Sequence, residues 1–473
     1  MPALAAFPLS LPYHSTKPQR LPPLSRRLKS ESISAATTIY SFADPSFSGA
    51  PGHAPRTAKL IVIGAILMLP FGRGLGLSLL LLLTASSACG GSSSDTPPLD
   101  FVESYEGGNL YRTRGEGGSG RFDVLELRGD WREMGRQYGY LMRNQMAEFY
   151  TAAVDGYLLD PNGAGLSYEE LREYAEMVYG FQFPYVQELI GGMSETSGLG
   201  EERQRITSNL MGLLFEAGCS SMDAWSDYTA GGPLVVGRNW DTGRVIFRNY
   251  SKFLAVVVYN PASGQNSVAD INYAGSISMQ SGMNSRGLFI DLQNGELSDR
   301  ATRPVTPGSY QLLSFLLDYG SVDEVSRAFD ATAVNLGLII NAADSSSASV
   351  FEWSPTAGVR RRTGGGLLAS ANHFVDPAWP PPLVTGDAVP YGAAGAFSRE
   401  RYDNLLSSGE QAKGRLNREG MMEIFDRVIS EGGPSFPDLT MYHLVALPVE
   451  RAVWIKAPQY SGWEKVDLGA LFD

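Results

Sequence analysis

The chain has 473 residues, with 38 Lys+Arg against 50 Asp+Glu, two cysteines and four histidines. Eight of the basic and two of the acidic residues precede Cys89, so the remainder carries 30 against 48, a net −18. Such an acidic body lacks the basic footprint that nucleic-acid binding needs. Beyond Cys89 only Cys219, His373 and His443 remain, which leaves no internal disulfide and little basis for a metal centre. No cofactor is expected.

In chain order, residues 1–67 are rich in Pro, Ser and basic residues without a hydrophobic period. They read as a doubtful extension, with translation expected to start at Met68. From there a conventional pattern begins. Arg73 supplies a basic region, Leu75 to Leu83 is an apolar run too short to span a bilayer, and Thr84 to Ala88 are small residues preceding Cys89. Residues 68–88 resemble a bacterial lipoprotein signal peptide with Cys89 as the lipidated residue, although Ser86 stands where an aliphatic residue is usual. A signal anchor over Leu60 to Leu83, interrupted by Pro70 and Arg73, is the rival reading. Residues 89–100 read as a flexible tether. The expected location is therefore an exported one, a membrane-anchored lipoprotein of a bacterial periplasm or outer membrane.

Residues 101–218 carry mainly helical signals. Met134, Tyr138, Leu141, Met142 and Phe149 recur near one helical face, and Gly135 and Gly139 would admit a closely approaching element. Ser167 to Glu170 is a capping box. After Cys219 the pattern changes to short β-branched and aromatic runs at Pro233–Arg238, Phe253–Tyr259, Gly287–Leu292, Leu336–Asn341 and Ser349–Trp353. Helices are expected at about Tyr310–Tyr319, after Ser321 and at about Glu419–Ser430. Tyr442–Leu447 and Ala452–Lys456 read as a closing hairpin. The order predicts a layered α+β domain over 219–473. Pro377 to Pro390 reads as a long irregular loop of the kind that lines sites.

The lone thiol lies in Phe215-Glu216-Ala217-Gly218-Cys219-Ser220-Ser221. A Gly-Cys step before small hydroxyl residues fits a sharp turn carrying an exposed nucleophile, and fits a buried core cysteine equally well. Gly237-Arg238-Asn239-Trp240-Asp241 follows on the next strand, and an antiparallel hairpin would return it to the cysteine. Arg238 could then stabilise a thiolate and Asp241 could hold an amine. Alone, the two also fit an exposed ion pair on a strand end.

Those two segments, with Gly282-Met283-Asn284-Ser285-Arg286-Gly287-Leu288 and Ala371-Asn372-His373-Phe374, together resemble N-terminal-nucleophile (Ntn) hydrolases of the choloylglycine hydrolase type. Leu127-Arg128-Gly129-Asp130-Trp131-Arg132-Glu133-Met134-Gly135-Arg136-Gln137-Tyr138-Gly139 resembles the pro-region of the acyl-CoA:6-aminopenicillanic acid acyltransferase branch. The resemblance covers about residues 120 to 456. Ala217 stands where many relatives of that branch carry Asp, and bile-salt enzymes lack the long pro-region.

The resemblance implies a four-layer αββα sandwich preceded by a helical pro-region, and self-cleavage between Gly218 and Cys219. It implies Cys219 as nucleophile, Asp241 as the carboxylate that holds its α-amino group and Arg238 as the arginine beside the thiol. Asn294 and Asn372 match the oxyanion-side asparagines. Ser398-Arg399-Glu400-Arg401-Tyr402 matches a late Ser-Arg segment in which Ser398, Arg399 and Arg401 are the candidates. The expected function is amide hydrolysis through a thioester, with a small-molecule linear amide as substrate and a lipid-anchored membrane contact. Alternatives are an acyltransferase, a papain-like protease using Cys219 and His443, and a non-catalytic surface lipoprotein. Trp225, Tyr228 and Trp240 are candidates for an apolar acyl pocket, as against ordinary core positions. The oligomeric state is not legible.

Overall fold

The computed structural model describes residues 99–115, 120–214, 218–242, 245–380 and 397–473. The signal segment, the tether, Cys89 and most of the loop after Pro377 lie outside the described residues. The described part opens with strands, where helix was expected: β1 (Leu99–Tyr105), β2 (Gly108–Thr113) and β3 (Asp123–Gly129) form an antiparallel meander. Glu106 and Gly107 turn the first hairpin with φ of 47° and 88°, the paired positive φ of a type I′ turn. Asp100, Glu103 and Glu106 interrupt the apolar alternation there, because most of β1 is exposed at the sheet edge.

The expected helices follow: α1 (Trp131–Leu141), α2 (Arg143–Tyr150), α3 (Tyr168–Phe181), α4 (Pro184–Thr196), α5 (Glu201–Asn209) and α6 (Met211–Leu214), with a π-helical stretch at Thr151–Leu158. Asp130 and Glu133 form a reciprocal capping box on α1, as Ser167 and Glu170 do on α3. The element admitted by Gly135 and Gly139 is α4. A Cβ on Gly135 would lie 2.2 Å from the Leu189 carbonyl oxygen, and one on Gly139 2.4 Å from Thr196 Oγ1.

Thirteen further strands are described: β4 (Gly218–Ala224), β5 (Val235–Asp241), β6 (Leu254–Pro261), β7 (Val268–Tyr273), β8 (Ser281–Asn284), β9 (Phe289–Asn294), β10 (Leu338–Ala343), β11 (Ala348–Ser354), β12 (Gly358–Thr363), β13 (Leu367–Ser370), β14 (Thr440–Leu447), β15 (Ala452–Lys456) and β16 (Glu464–Asp467). They make a ten-stranded sheet, ordered β1-β2-β3-β6-β7-β8-β9-β10-β11-β12, and a six-stranded sheet, ordered β13-β4-β5-β14-β15-β16. The Cys219 strand is therefore internal, between the edge strand β13 and β5. The sharp turn with an exposed thiol is not what forms: Gly218 to Ala224 pair along their length with β5, and Cys219 is fully buried.

Among the described residues four further helices cover the sheets: α7 (Gly308–Asp318), α8 (Val322–Ala331), α9 (Ser398–Gln411) and α10 (Arg418–Asp426). Alternation along the strands separates inner from outer faces. On β8, a Cβ at Gly282 would meet Leu316 of α7 at 2.9 Å; on β5, one at Gly237 would meet the Phe425 ring of α10 at 2.2 Å. The opposite faces meet each other, with the Ser221 hydroxyl of β4 donating to Asp291 of β9 at 2.9 Å. Helix, sheet, sheet and helix make four layers, an α+β sandwich.

The segments on either side of Gly218 share the larger sheet. β3 runs parallel to β6 from Asp123 opposite Ala255 to Gly129 opposite Pro261. Val124, Leu125 and Leu127 there are buried against the fully buried run Leu254–Pro261.

Candidate active site

Cross-strand pairing places Cys219 opposite Trp240, and Trp240 opposite Tyr442. Directly paired residues project from the same face, so thiol, indole and phenol form a row on the inner face of the smaller sheet. Two residues back along β5, on the same face, is Arg238, whose Nη2 lies 3.7 Å from Cys219 Sγ. The hairpin inferred from sequence thus brings Arg238 to the thiol. Asp241, next to Trp240, faces the other way, toward α9.

There it meets Arg401, which lies one helical turn into α9. Arg401 Nη1 donates to Asp241 Oδ2 at 3.1 Å and to the Cys219 carbonyl at 2.8 Å, while Nη2 donates to Asn372 Oδ1 at 2.7 Å. The second Asp241 oxygen accepts from the Thr440 hydroxyl at 2.5 Å. Arg401, Asp241 and Thr440 are buried. Of the three late candidates, Arg401 is the one at the nucleophile. Arg399 is exposed, and Ser398 acts indirectly: its hydroxyl accepts from the Asn372 backbone N–H at 2.7 Å and lies 2.7 Å from His373 Nδ1.

Asn372 follows β13, the neighbour of β4. Its Oδ1 accepts the Cys219 backbone N–H at 2.9 Å, and its Nδ2 donates to the Asn294 carbonyl at 2.9 Å. The Asn294 carbonyl is what reaches the site; its side chain bonds Glu296, through Nδ2 to Oε2 at 2.6 Å and Oδ1 to the Glu296 N–H at 2.8 Å. Cys219 is thus held on both sides of its own backbone, by Asn372 at the nitrogen and Arg401 at the carbonyl.

Burial governs the charges. It pushes the Cys219 thiol up to about 11, with Asp241 and Asp291 adding to the rise and Arg238 and Arg401 opposing it. Burial also pushes Asp241 up to about 6 against the pull of Arg401, Thr440 and Arg238. The same loss of water lowers Arg401 from its ordinary value. Among the described residues no group of His, Cys, Asp and Glu is arranged to hold a metal ion.

His443 is directed away from the thiol. It pairs with Asn239 rather than Trp240, its Nδ1 lies 2.5 Å from Asn239 Oδ1, and Nε2 is 4.0 Å from Asp426. A Cys219–His443 dyad is not formed. Burial lowers His443 to about 3, so it is neutral in the fold. An unfolded histidine titrates near 6.5; a folded value below that gives stability that is present above pH 6.5 and lost as pH falls toward 3. From pH 7.5 to pH 5 this loss is expected to be about 2 kcal/mol. Urea midpoints at the two pH values check it: His443→Gln should flatten the decline, and an unchanged decline would rule out His443 as its source.

The aromatic candidates separate. Trp240 touches the site row and stacks on Tyr442 at 5.9 Å. Tyr228 instead bonds Glu410 of α9 and belongs to the core under α9 and α10. Trp225 packs on the main core, its backbone N–H donating to the Gly366 carbonyl. Sequence reasoning missed Asp291, Asp223, Asn341, Thr440 and Tyr442. The signal for Asp291 was a single charge inside Phe289-Ile290-Asp291-Leu292, an otherwise apolar strand.

No protein-family model matches the chain, and no curated protein sequence does. Among solved structures it is similar to a mutant conjugated bile acid hydrolase from Clostridium perfringens, at 14% identity and a TM-score of 0.36 over 53% of this chain and 93% of that one. It is also similar to a Caenorhabditis elegans orthologue of N-acylethanolamine-hydrolyzing acid amidase (15%, TM-score 0.37, 53% and 99%). A third is penicillin V acylase from Agrobacterium tumefaciens (11%, TM-score 0.34, 53% and 86%). Similarity at this level assigns no residue a role, so the chemistry rests on the site itself.

Proposed function

We propose that the protein is a self-processing cysteine amidohydrolase that cleaves linear, non-peptide C–N amides through a thioester on Cys219. The observation that carries this reading is the double hold on the Cys219 backbone. Asn372 Oδ1 at the peptide nitrogen is an acceptor placed for an α-amine, and Arg401 on the carbonyl fixes the residue at which the chain would begin. In processing, Sγ attacks the Gly218 carbonyl, the Gly218–Cys219 C–N bond breaks, and the acyl group passes to sulfur. Water then hydrolyses the thioester, leaving a Gly218 carboxylate and a free Cys219 amine.

That amine supplies the base which the histidines do not. An α-amino group titrates near 8. It takes the thiol proton as Sγ attacks the substrate carbonyl and returns it to the departing amine. Asn372 Nδ2 carries a second hydrogen beyond the one given to Asn294, and it is assigned to the oxyanion, with Asn294 positioning it through its carbonyl. Asp241, held by Arg401 and Thr440, keeps the negative charge that retains the amine. The substrate class proposed is that of small linear amides, the class that the name of one similar structure, an N-acylethanolamine-hydrolyzing acid amidase, also describes.

Exposure to chromogenic acyl-anilides tests the reading. Product release with a transient acyl mass on the peptide starting at Cys219 supports it; turnover without that adduct refutes the thioester route. Added amines that accept the acyl group would move the assignment to acyltransferase. The two products of processing should stay together, since β3 and β6 remain paired. They should co-elute in native size exclusion and separate in denaturant. Native separation would contradict the shared sheet as the bond between them.

The exported, lipid-anchored location is proposed from the sequence of residues 68–89. Cys89→Ser should move the protein from the membrane fraction to the soluble one, and a wild type without lipid mass at its mature terminus would refute the anchor.

A further inference from the structure

Behind the thiol, the inner faces of the two sheets enclose a buried polar cluster with Asp291 at its centre. Asp291 Oδ1 forms an ion pair with Arg238 Nη1 at 3.0 Å. The same oxygen accepts from the Ser221 hydroxyl at 2.9 Å and from Gln293 Nε2 at 3.0 Å. Oδ2 lies 3.0 Å from the Ser221 hydroxyl and 3.3 Å from Asn341 Nδ2, which also donates to Asp223 at 3.0 Å. The other terminal Arg238 nitrogen, Nη2, donates to the Leu292 carbonyl at 2.9 Å and faces Cys219 Sγ. Arg238 and Asp291 are both fully buried.

We propose that Asp291 is a positioning residue for the nucleophile, orienting the Arg238 guanidinium on the sulfur and cancelling its charge so that the resting thiol stays protonated. The inference rests on reading Cys219 as the nucleophile. A lone guanidinium this near a thiol in a water-poor site would strongly favour the thiolate. Here every charge facing the sulfur is matched: Arg238 of β5 by Asp291 of β9, and Arg401 of α9 by Asp241 of β5, with Tyr442 of β14 neutral. Beyond Asp291 stands Asp223 of β4, whose carboxyl burial pushes well above the usual carboxylate range against the pull of the Asn341 hydrogen bond and of Arg362 of β12. A thiolate would be the one unmatched charge. The thiol therefore gives up its proton only to a base inside the site as the reaction proceeds.

The test is the titration of Cys219 itself, followed through ¹³C at Cβ in the full chain; Cys89→Ser tells the two cysteine resonances apart. Asp291→Asn should lower the Cys219 midpoint by about one unit, a tenfold gain in thiolate at a given pH. Because that variant strands a buried cation, the same comparison is made without it. Arg238→Gln/Asp291→Asn should titrate about one unit below Arg238→Gln, since only the latter keeps an unbalanced carboxylate beside the sulfur. If the two members of either pair titrate alike, or the Asn variant moves upward, the proposal is overturned. A shifted midpoint in a chain that neither processes nor hydrolyses amides would instead refute the functional reading and leave standing only the charge balance that Asp291 imposes on the Cys219 thiol.

Discussion

Cys219→Ala is expected to yield one uncleaved chain, where the wild type yields two after signal processing, and to abolish amide hydrolysis. Loss of a nucleophile that acts as a unit with its base typically costs about 10⁵–10⁶ in kcat. No other thiol among the described residues can substitute, because Cys219 is the one free cysteine they contain. The substitution removes a single buried sulfur from a packed sheet, worth on the order of 1 kcal/mol. Asn372 and Arg401 grip backbone atoms of residue 219, and alanine keeps both. Melting should therefore shift little while chemistry disappears. Intact mass, a denaturing gel and an amidase assay on one preparation read all three. A wild type that stays a single full-length chain and still hydrolyses amides would refute the N-terminal-nucleophile mechanism.

Much of this site is legible in sequence because strand pairing is local. Two β segments joined by a short connection form a hairpin, and the hairpin alone carries Arg238 and Asp241 to Cys219. Glycine spacing on α1 likewise signals its contact with α4, although not which helix would fill it. The strands at 99–129 escape for a physical reason. Edge strands tolerate charge, so Asp100, Glu103 and Glu106 erase the period that marks an inner strand. Distant pairings are harder to read. Arg401 lies 182 residues from Cys219, and its role follows only from where α9 lies against the smaller sheet. Asp291 had a sequence signal, a charge in an apolar strand, but its partner is on the opposite sheet, and no local rule gives sheet-to-sheet contacts. The exposed turn, one of the two readings of the Gly-Cys step, does not form because Ser220 and Ser221 are both buried within β4, on its opposite faces; the Ser221 hydroxyl is satisfied by Asp291 rather than by a loop.

Arg401→Met is expected to have the largest effect on stability. The guanidinium is fully buried and donates to three acceptors, Asp241 Oδ2, the Cys219 carbonyl and Asn372 Oδ1. Removing one partner of a buried ion pair leaves the other charge uncompensated, which typically costs about 3–5 kcal/mol. Here that charge is Asp241, already pushed up to about 6 while its arginine is present. Without Arg401 its folded pKa rises further, whereas an unfolded aspartate stays near 3.9. A carboxyl with a raised folded pKa favours the fold while protonated. The variant's stability should therefore be greatest in acid and fall as pH rises through the folded pKa, above about 6. This slope opposes the acid loss that His443 gives the wild type. Urea midpoints from pH 5 to pH 8 separate the two, and Asp241→Asn in the Arg401→Met background should recover most of the loss at pH 8. A deficit independent of pH, unrelieved by Asp241→Asn, would show that Arg401 contributes packing and backbone contacts alone and that Asp241 does not depend on it for its charge.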